Sequence, residues 1–533
     1  MRTLTLTLGL AAVLAGQVTF EDIKKSPNKD WLTYAGDYRA VRHSPLTQIN
    51  AANAANLVPK WTYHIPKASG LRTNPIVYDG VMYVTNTNEI HAIDAKTGRR
   101  IWFFKDTRSK KEYANRGAAI LGNKVFFVTA DVHCVALDRR TGAVLWEKKY
   151  GNTEDGLSAS NAPLVVKDKV LVGVAGGDTG MRGYISALDA ETGNEVWRTY
   201  TIPAKGEPGS ETWGKYVDYG GGGTWLSGTY DAELDMIYWP TGNPWPDFYG
   251  VDRGGDNLYS CSVLALDQAT GKMKWYFQFT PHDTHDWDAQ AWPVLVDMPW
   301  EGKPRKLMLY SNRNGFFYVL DRTNGQFLRA TKIVDKLDWA SHIDAKGRPV
   351  LIEGKDPTPA GNRACPGVRG ATNWMSPSYN AATGLYYVVT LEQCDIYTSS
   401  SKEPEPKKNF SGGGAGPKPN EVGQFFLRAF DPKTGKKVWE YPMTGPGESW
   451  AGSVSTAGGV VFFGDDDGQL VGVDAKTGKH LWHYQMGEGL TASPITYSVN
   501  GKQFVAIASA TAIFSFGLHE PVQSVPIPKI KVE

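Results

Sequence analysis

The sequence predicts an all-β chain folded as an eight-bladed β-propeller, each blade a four-stranded sheet and each joint sealed by a docked tryptophan. Three observations lead there. One hairpin motif recurs along the chain, its spacing suits a single blade, and the composition joins strand-forming aromatics to turn formers. Trp 18, Tyr 25 and Phe 20 stand beside Gly 58 and Pro 31 in 533 residues, a mix that helix-rich proteins seldom show. A chain this long exceeds what one hydrophobic core organises, so it holds several domains or repeats one unit.

The repeat decides between these. Ala92-Ile-Asp-Ala-Lys-Thr-Gly98, ending in Trp102, returns at Ala136 to Trp146, Ala187 to Trp197, Ala265 to Trp275, Ala429 to Trp439 and Val473 to Trp482. A degenerate copy, Val319 to Gly325, carries Leu328 where the tryptophan would stand. The pattern is apolar-Asp-x-x-Thr-Gly-x-x-x-Trp. A strand ends at Asp, whose side chain bonds backbone amides; Thr-Gly closes the turn, with Gly free to take positive φ. The returning strand carries Trp towards the neighbouring unit. The closest copies lie roughly 45–50 residues apart, the length of four strands. Ser378-Tyr-Asn-Ala-Ala-Thr-Gly384 has the same hairpin shape and brings the count to eight. Leu57-Val-Pro-Lys-Trp61 resembles the tryptophan-bearing strand without its hairpin, so it is expected to complete a blade begun near the C-terminus and to close the ring. No long helical pattern separates the strands, which disfavours a parallel α/β fold.

The remaining segments are quickly placed. Residues 1–16 read as a signal peptide: Arg2 gives the positive start, Leu4 to Leu14 the apolar run, and Ala15 and Gly16 the small residues before polar Gln17. The mature chain, 17–533, is then a single propeller domain, exported to the periplasm. No other apolar stretch approaches the ~20 residues of a membrane span. The stretch 398–423, rich in Gly, Pro and Lys, lacks periodicity and is expected as a long exposed loop. A net charge of +2 gives no argument for nucleic acid. The four cysteines, Cys134, Cys261, Cys365 and Cys394, form no CxxC and no CxxCH, which excludes a zinc ribbon, a redox dithiol and a c-type haem site.

With the repeat stand Asp30-Trp-Leu-Thr-Tyr-Ala-Gly-Asp-Tyr38 and Ser44-Pro-Leu-Thr-Gln-Ile-Asn50. Together these resemble the PQQ-dependent alcohol dehydrogenases, the quinoprotein methanol and ethanol dehydrogenases, over nearly the whole mature chain. The resemblance implies pyrroloquinoline quinone (PQQ) and a metal ion near the propeller axis, with electrons leaving to a separate soluble cytochrome c. It also implies residue roles. Asp286, in Thr280-Pro-His-Asp-Thr-His-Asp-Trp-Asp288, falls on the catalytic carboxylate, and Arg313 of Arg-Asn-Gly on the arginine beside the quinone carbonyls. Asn243, in Thr241-Gly-Asn-Pro244, and Asp178, after Ala175-Gly176-Gly177, fall on metal ligands. Ala175, Gly176 and Gly177 themselves fall on the cofactor loop. Trp225 matches the tryptophan stacked under the quinone, Arg116 an arginine on a cofactor carboxylate, and Ser160 a hydroxyl contact; Asn373, Trp374 and Trp450 resemble further cofactor-side positions. Cys365 and Cys394 resemble the family's structural disulfide. A homodimer is compatible with the resemblance.

The chemistry suits these residue types. Oxidising a primary alcohol to an aldehyde needs a base for the hydroxyl proton, here Asp286, and a cation to support charge on the acceptor, here Arg313. Oxygen ligands from Asp and Asn suit a hard ion. Asp288, two residues beyond the catalytic position, marks the lanthanide-using members; with Asp178 and Asp286 it offers three negative charges, which favours lanthanide(III) over Ca²⁺. Three departures run against the family. The adjacent cysteine pair is missing, with Tyr113-Ala114 nearby; Arg72 or Thr73 stands where a glutamate is usual before Pro75; and Asp178 is a methylene, roughly 1.5 Å, shorter than the usual glutamate. They motivate the alternative of a cofactor-less, non-catalytic propeller serving as a scaffold or binding protein.

Overall fold

The computed structural model describes residues 16–403, 405–418 and 421–520. The signal-peptide expectation falls almost wholly on residues outside this range. Among the described residues, eight antiparallel blades follow one another at 76–105, 119–149, 164–200, 229–278, 294–332, 378–442, 453–485 and 495–518. Seven have four strands. The seventh in chain order gains a fifth, because His43–Ser44 pairs in parallel with Ser453–Thr456. The last blade is completed by Leu57–His64, which lies against Ala512–Leu518, so an N-terminal strand closes the ring as the sequence predicts. No helix among the described residues is long and apolar enough to cross a membrane.

Most joints follow from the motif. Asp94 Oδ1 accepts from the amides of Lys96 and Thr97, both at 2.9 Å, which fixes the turn. Ala92, Ala187, Ala265 and Ala429 lie directly across the hairpin from Trp102, Trp197, Trp275 and Trp439. The register slips at each of these pairs, and a bulge of this kind re-aims a side chain. The indole then reaches the next blade: Trp61 Nε1 donates to Ala95 O at 3.1 Å, Trp102 to Arg139 O at 3.0 Å, Trp197 to Gln268 O at 3.1 Å, and Trp482 to Leu57 O at 3.1 Å. The motif glycine is where that ring rests. Gly142 has φ +75°, and a Cβ there would meet Trp102 at 2.7 Å. One residue thus satisfies a left-handed turn and a close aromatic contact at once.

Two expectations need correction. The Ser378–Gly384 hairpin joins the first two strands of the blade whose docking hairpin is at Asp431, so it is no eighth docking hairpin. Seven docking hairpins and the N-terminal closure make eight blades. The stretch 398–423 is not simply a loop: Gly413–Pro417 forms a strand on Asp395–Ser399, which also pairs with Asn362–Ala364. Runs of glycine hid it, since they carry no alternation to read.

Gly384 also has a left-handed φ, +71°, but nothing lies within 4 Å of a Cβ there. Gly384→Ala therefore costs only backbone strain, about 1 kcal/mol, whereas Gly142→Ala also displaces Trp102, for a total of about 2–4 kcal/mol. Urea unfolding of both variants checks this; equal losses would show that the indole imposes no constraint of its own.

Candidate active site

Loops from several blades meet in one cavity of about 380 Å³. The segment after the strand Met273–Gln278 supplies two of its acids. Asp283 shapes it, accepting from the amides of His285 at 3.2 Å and Trp287 at 2.9 Å. His285 and Trp287 stack on each other, centroids 4.2 Å apart, and Trp287 packs on Trp339 in the core. The alternate residues, Asp286 and Asp288, line the cavity. Asp286 has φ +59°, a conformation that costs an L-residue free energy and that clusters at functional sites.

Arg313 holds both carboxylates, with Nη1 on Asp288 Oδ2 at 2.8 Å and Nη2 on Asp286 Oδ2 at 3.3 Å. Its Nη2 also donates to Val368 O at 2.5 Å, within the segment that the Cys365–Cys394 disulfide ties down. Asp288 Oδ1 accepts from the Asn243 amide at 2.6 Å, joining two loops. Asn243 Nδ2 donates to the buried Asp247 at 2.8 Å. That bond fixes the side-chain amide and leaves Oδ1 towards Gly177, whose Cβ, if present, would lie 3.2 Å away. At the aromatic end, the Arg116 guanidinium lies 4.5 Å from the Trp225 ring centroid and 5.6 Å from that of Trp374. Arg116 Nη1 donates to Ser160 Oγ at 2.6 Å. Gln290 ties this end to the acidic loop, accepting from Leu226 N and donating to Gly223 O.

Burial sets the electrostatics. It raises Asp286 and Asp247 well above the usual carboxylate range and Asp288 to about 6; neighbouring aspartates push the same way, while Arg313 opposes the shift at Asp286 and Asp288. Asp178 is raised by burial too, against the pull of Arg313. Arg116 is lowered to about 10, first by burial and then by Arg72.

Of the residues singled out from sequence, Gly176, Gly177, Asp178, Trp225, Asn243, Asp286, Asp288, Arg116 and Trp374 line the cavity. Arg313 and Ser160 stand directly behind it. Ala175 pairs through its backbone with Ser158. Trp450 stacks behind Trp374, centroids 4.4 Å apart, and Asn373 turns its amide to Arg369 O and Trp374 N. Cys365 and Cys394 are bridged, their Cα atoms 4.3 Å apart, while Cys134 and Cys261 are free and buried. Of Arg72 and Thr73, Arg72 lines the cavity and Thr73 bonds Thr85. Sequence reasoning missed Asp247, Lys111 and Asn409. Asn409 comes from the stretch 398–423; the adjacent Phe410, an aromatic among lysines and glycines, was the available sign that this stretch docks. Phe410 N donates to Asp178 O at 2.9 Å, and its ring packs edge-on against Trp245.

The family model described as "PQQ: Glucose/ethanol/alcohol dehydrogenase, beta-propeller domain" matches residues 31–334 and 443–505. The chain belongs to this family of PQQ-dependent alcohol dehydrogenases. It is 37% identical to the quinoprotein alcohol dehydrogenase PedH of Pseudomonas putida, over 94% of this chain and 89% of that protein. It is 35% identical to a 1-butanol dehydrogenase (cytochrome c) of Thauera butanivorans, over 94% and 76% respectively. Its structure matches that of a europium-containing methanol dehydrogenase with a TM-score of 0.88 and 31% identity, covering 94% of this chain and 100% of the other. Such homology to enzymes overturns the non-catalytic alternative.

The cavity suits the family's cofactor and metal. Glycines at 176 and 177 leave a bare backbone, and a Cβ at Gly242 would strike Asp288 Oδ1 at 2.6 Å. The Nε atoms of Arg116 and Arg313 and Nε1 of Trp374 are buried with no partner. The acidic donors are all oxygens. Among the described residues no three His, Cys, Asp or Glu side chains already form a metal-binding group; Arg313 takes up Asp286 and Asp288 instead.

The raised carboxyls have a consequence for stability. Their folded pKa values exceed the unfolded ones, so the folded state binds more protons, and stability falls as pH rises from about 4 through about 6. Melting curves of metal-free protein should show this fall, and Asp288→Asn should make it shallower. Identical slopes for the two proteins would contradict the assignment.

Proposed function

We propose that this protein is a periplasmic quinoprotein dehydrogenase that oxidises a primary alcohol to its aldehyde, using PQQ and a metal ion, and hands the electrons to a separate cytochrome c. The observation that carries it is the convergence of Asp286 and Asp288 on Arg313 beside Asp178 and Asn243 in one cavity with Trp225. The Cys365–Cys394 bridge supports an oxidising compartment. The name of the Thauera relative supports a cytochrome c as the acceptor.

When bound, PQQ supplies the hydride acceptor and a hard cation polarises its carbonyl. Asp178, Asn243, Asp286 and Asp288 would hold that cation through oxygen. Asp286 takes the hydroxyl proton of the alcohol. Burial raises its pKa, and nearby positive charge, from Arg313 and a bound cation, pulls it back towards the carboxylate form a base needs. Arg313 orients Asp286 and stands ready to support negative charge developing beside it. Trp225 gives a flat face, and Ser160 holds Arg116 in place next to it. Three carboxylates gathered at the Asn243 end of the cavity, with Arg313 the only cation paired to them among the described residues, favour a trivalent ion over Ca²⁺, in line with the likeness to a europium-containing enzyme.

Reconstitution with PQQ and either La³⁺ or Ca²⁺ tests this through dye-linked alcohol oxidation. Asp286→Asn should lower turnover at least about a hundredfold with both ions. Asp288→Ala should weaken La³⁺-dependent oxidation far more than Ca²⁺-dependent oxidation. Wild-type protein that binds neither PQQ nor metal at micromolar concentration would overturn the reading.

A further inference from the structure

The cavity holds a second charge pattern that the mechanism above does not use. Arg72, Lys111 and Arg116 all line it, and among the described residues none of the three forms an ion pair. Three other buried guanidinium groups have a carboxylate: Arg313 has Asp288 at 2.8 Å, Arg322 has Asp231 at 2.6 Å, and Arg428 has Glu392 at 2.7 Å; Arg42 and Arg253, away from the cavity, are held by backbone carbonyls instead. Arg116 is only 4% exposed; its one side-chain acceptor is Ser160 Oγ, and its Nε has no partner. The Arg72 guanidinium rests 5.1 Å from the Trp374 ring centroid, close enough to Arg116 for the two cations to repel. Lys111 Nζ spends one donor on Leu157 O at 2.8 Å and has two left.

Unpaired cations crowded around a cavity are costly when it is empty and become favourable when an anion enters. A planar guanidinium with free donors, already stacked on an indole, is a preformed carboxylate receptor. PQQ is a tricarboxylic acid. We propose that Arg72 and Lys111 join Arg116 as a cationic wall that binds the carboxylates of the quinone. The inference rests on the quinoprotein reading and extends it to two further residues of the same cavity. The aspartates would face the metal while the cations take the acid groups, so the two charge patterns would orient the cofactor.

The test is PQQ binding followed by quenching of tryptophan fluorescence, in metal-containing buffer, for wild type, Arg72→Gln, Lys111→Gln and Arg72→Lys. Each glutamine variant should bind PQQ about tenfold to a hundredfold more weakly, with Arg72→Lys recovering part of the loss. The trimethyl ester of PQQ should bind wild type and variants alike. Without cofactor, Arg72→Gln should melt higher than wild type, because a repulsion with Arg116 is gone; a merely structural Arg72 would melt lower. Wild-type binding with unchanged variants overturns this inference alone. So does a rise confined to the KM of carboxylate-bearing alcohols, which would assign the cations to substrate. Failure of wild type to bind PQQ overturns the quinoprotein reading and this inference with it.

Discussion

Everything in this molecule depends on an indole lying on a left-handed glycine. The contact forms at six of the eight joints, and it works only because three local features agree. The Asp turn presents the glycine, the alanine opposite leaves room for the tryptophan, and the bulge turns it outwards. Repetition of that joint bends a linear run of small sheets into a ring whose ends are then paired by Leu57–His64. Closure leaves no unprotected sheet edge at the join. It also gathers loops from distant parts of the chain, so that Arg116, Asp178, Trp225, Asn243 and Asp286 share one cavity.

The cavity is the opposite of the joints in its energetics. The joints are apolar and repeated, and most of their indole N–H groups find a backbone carbonyl. The cavity concentrates buried carboxylates, a strained Asp286 and unpaired cations, all of which reduce the stability of the empty protein. Such features persist only where a rigid surround holds them. Arg313 moderates the cost by neutralising part of the acidic group, and the disulfide fixes the segment that anchors Arg313 through Val368 O. The same arrangement is pre-organised for ligands whose charges complement it, which is how a site gains affinity without reorganising.

Most of the fold was legible in sequence because the joint is local: the short run from Ala92 to Trp102 encodes the turn, the room and the partner. The eighth blade was harder. Its strand Leu57–His64 lacks a hairpin and lies far along the chain from its pairing partner, and the hairpin at Gly384 mimicked the docking motif without docking. Candidate site residues could be named because Asp286, Asp288, Asn243 and Arg313 sit in short distinctive motifs. Asp247, Lys111 and Asn409 could not, since their place depends on loops brought together only by the ring. Asp247 in particular acts through the amide of Asn243, a relation with no trace in local sequence.

The central claim is that Asp178, Asn243, Asp286 and Asp288 form one cation site beside the quinone. Anomalous diffraction from crystals grown with PQQ and a lanthanide tests it directly. The account predicts a single strong peak within bonding distance of oxygen from all four residues, with Arg313 shifted off at least one of its two carboxylate contacts to make room. A peak elsewhere, or none while Arg313 keeps both carboxylates, would contradict it.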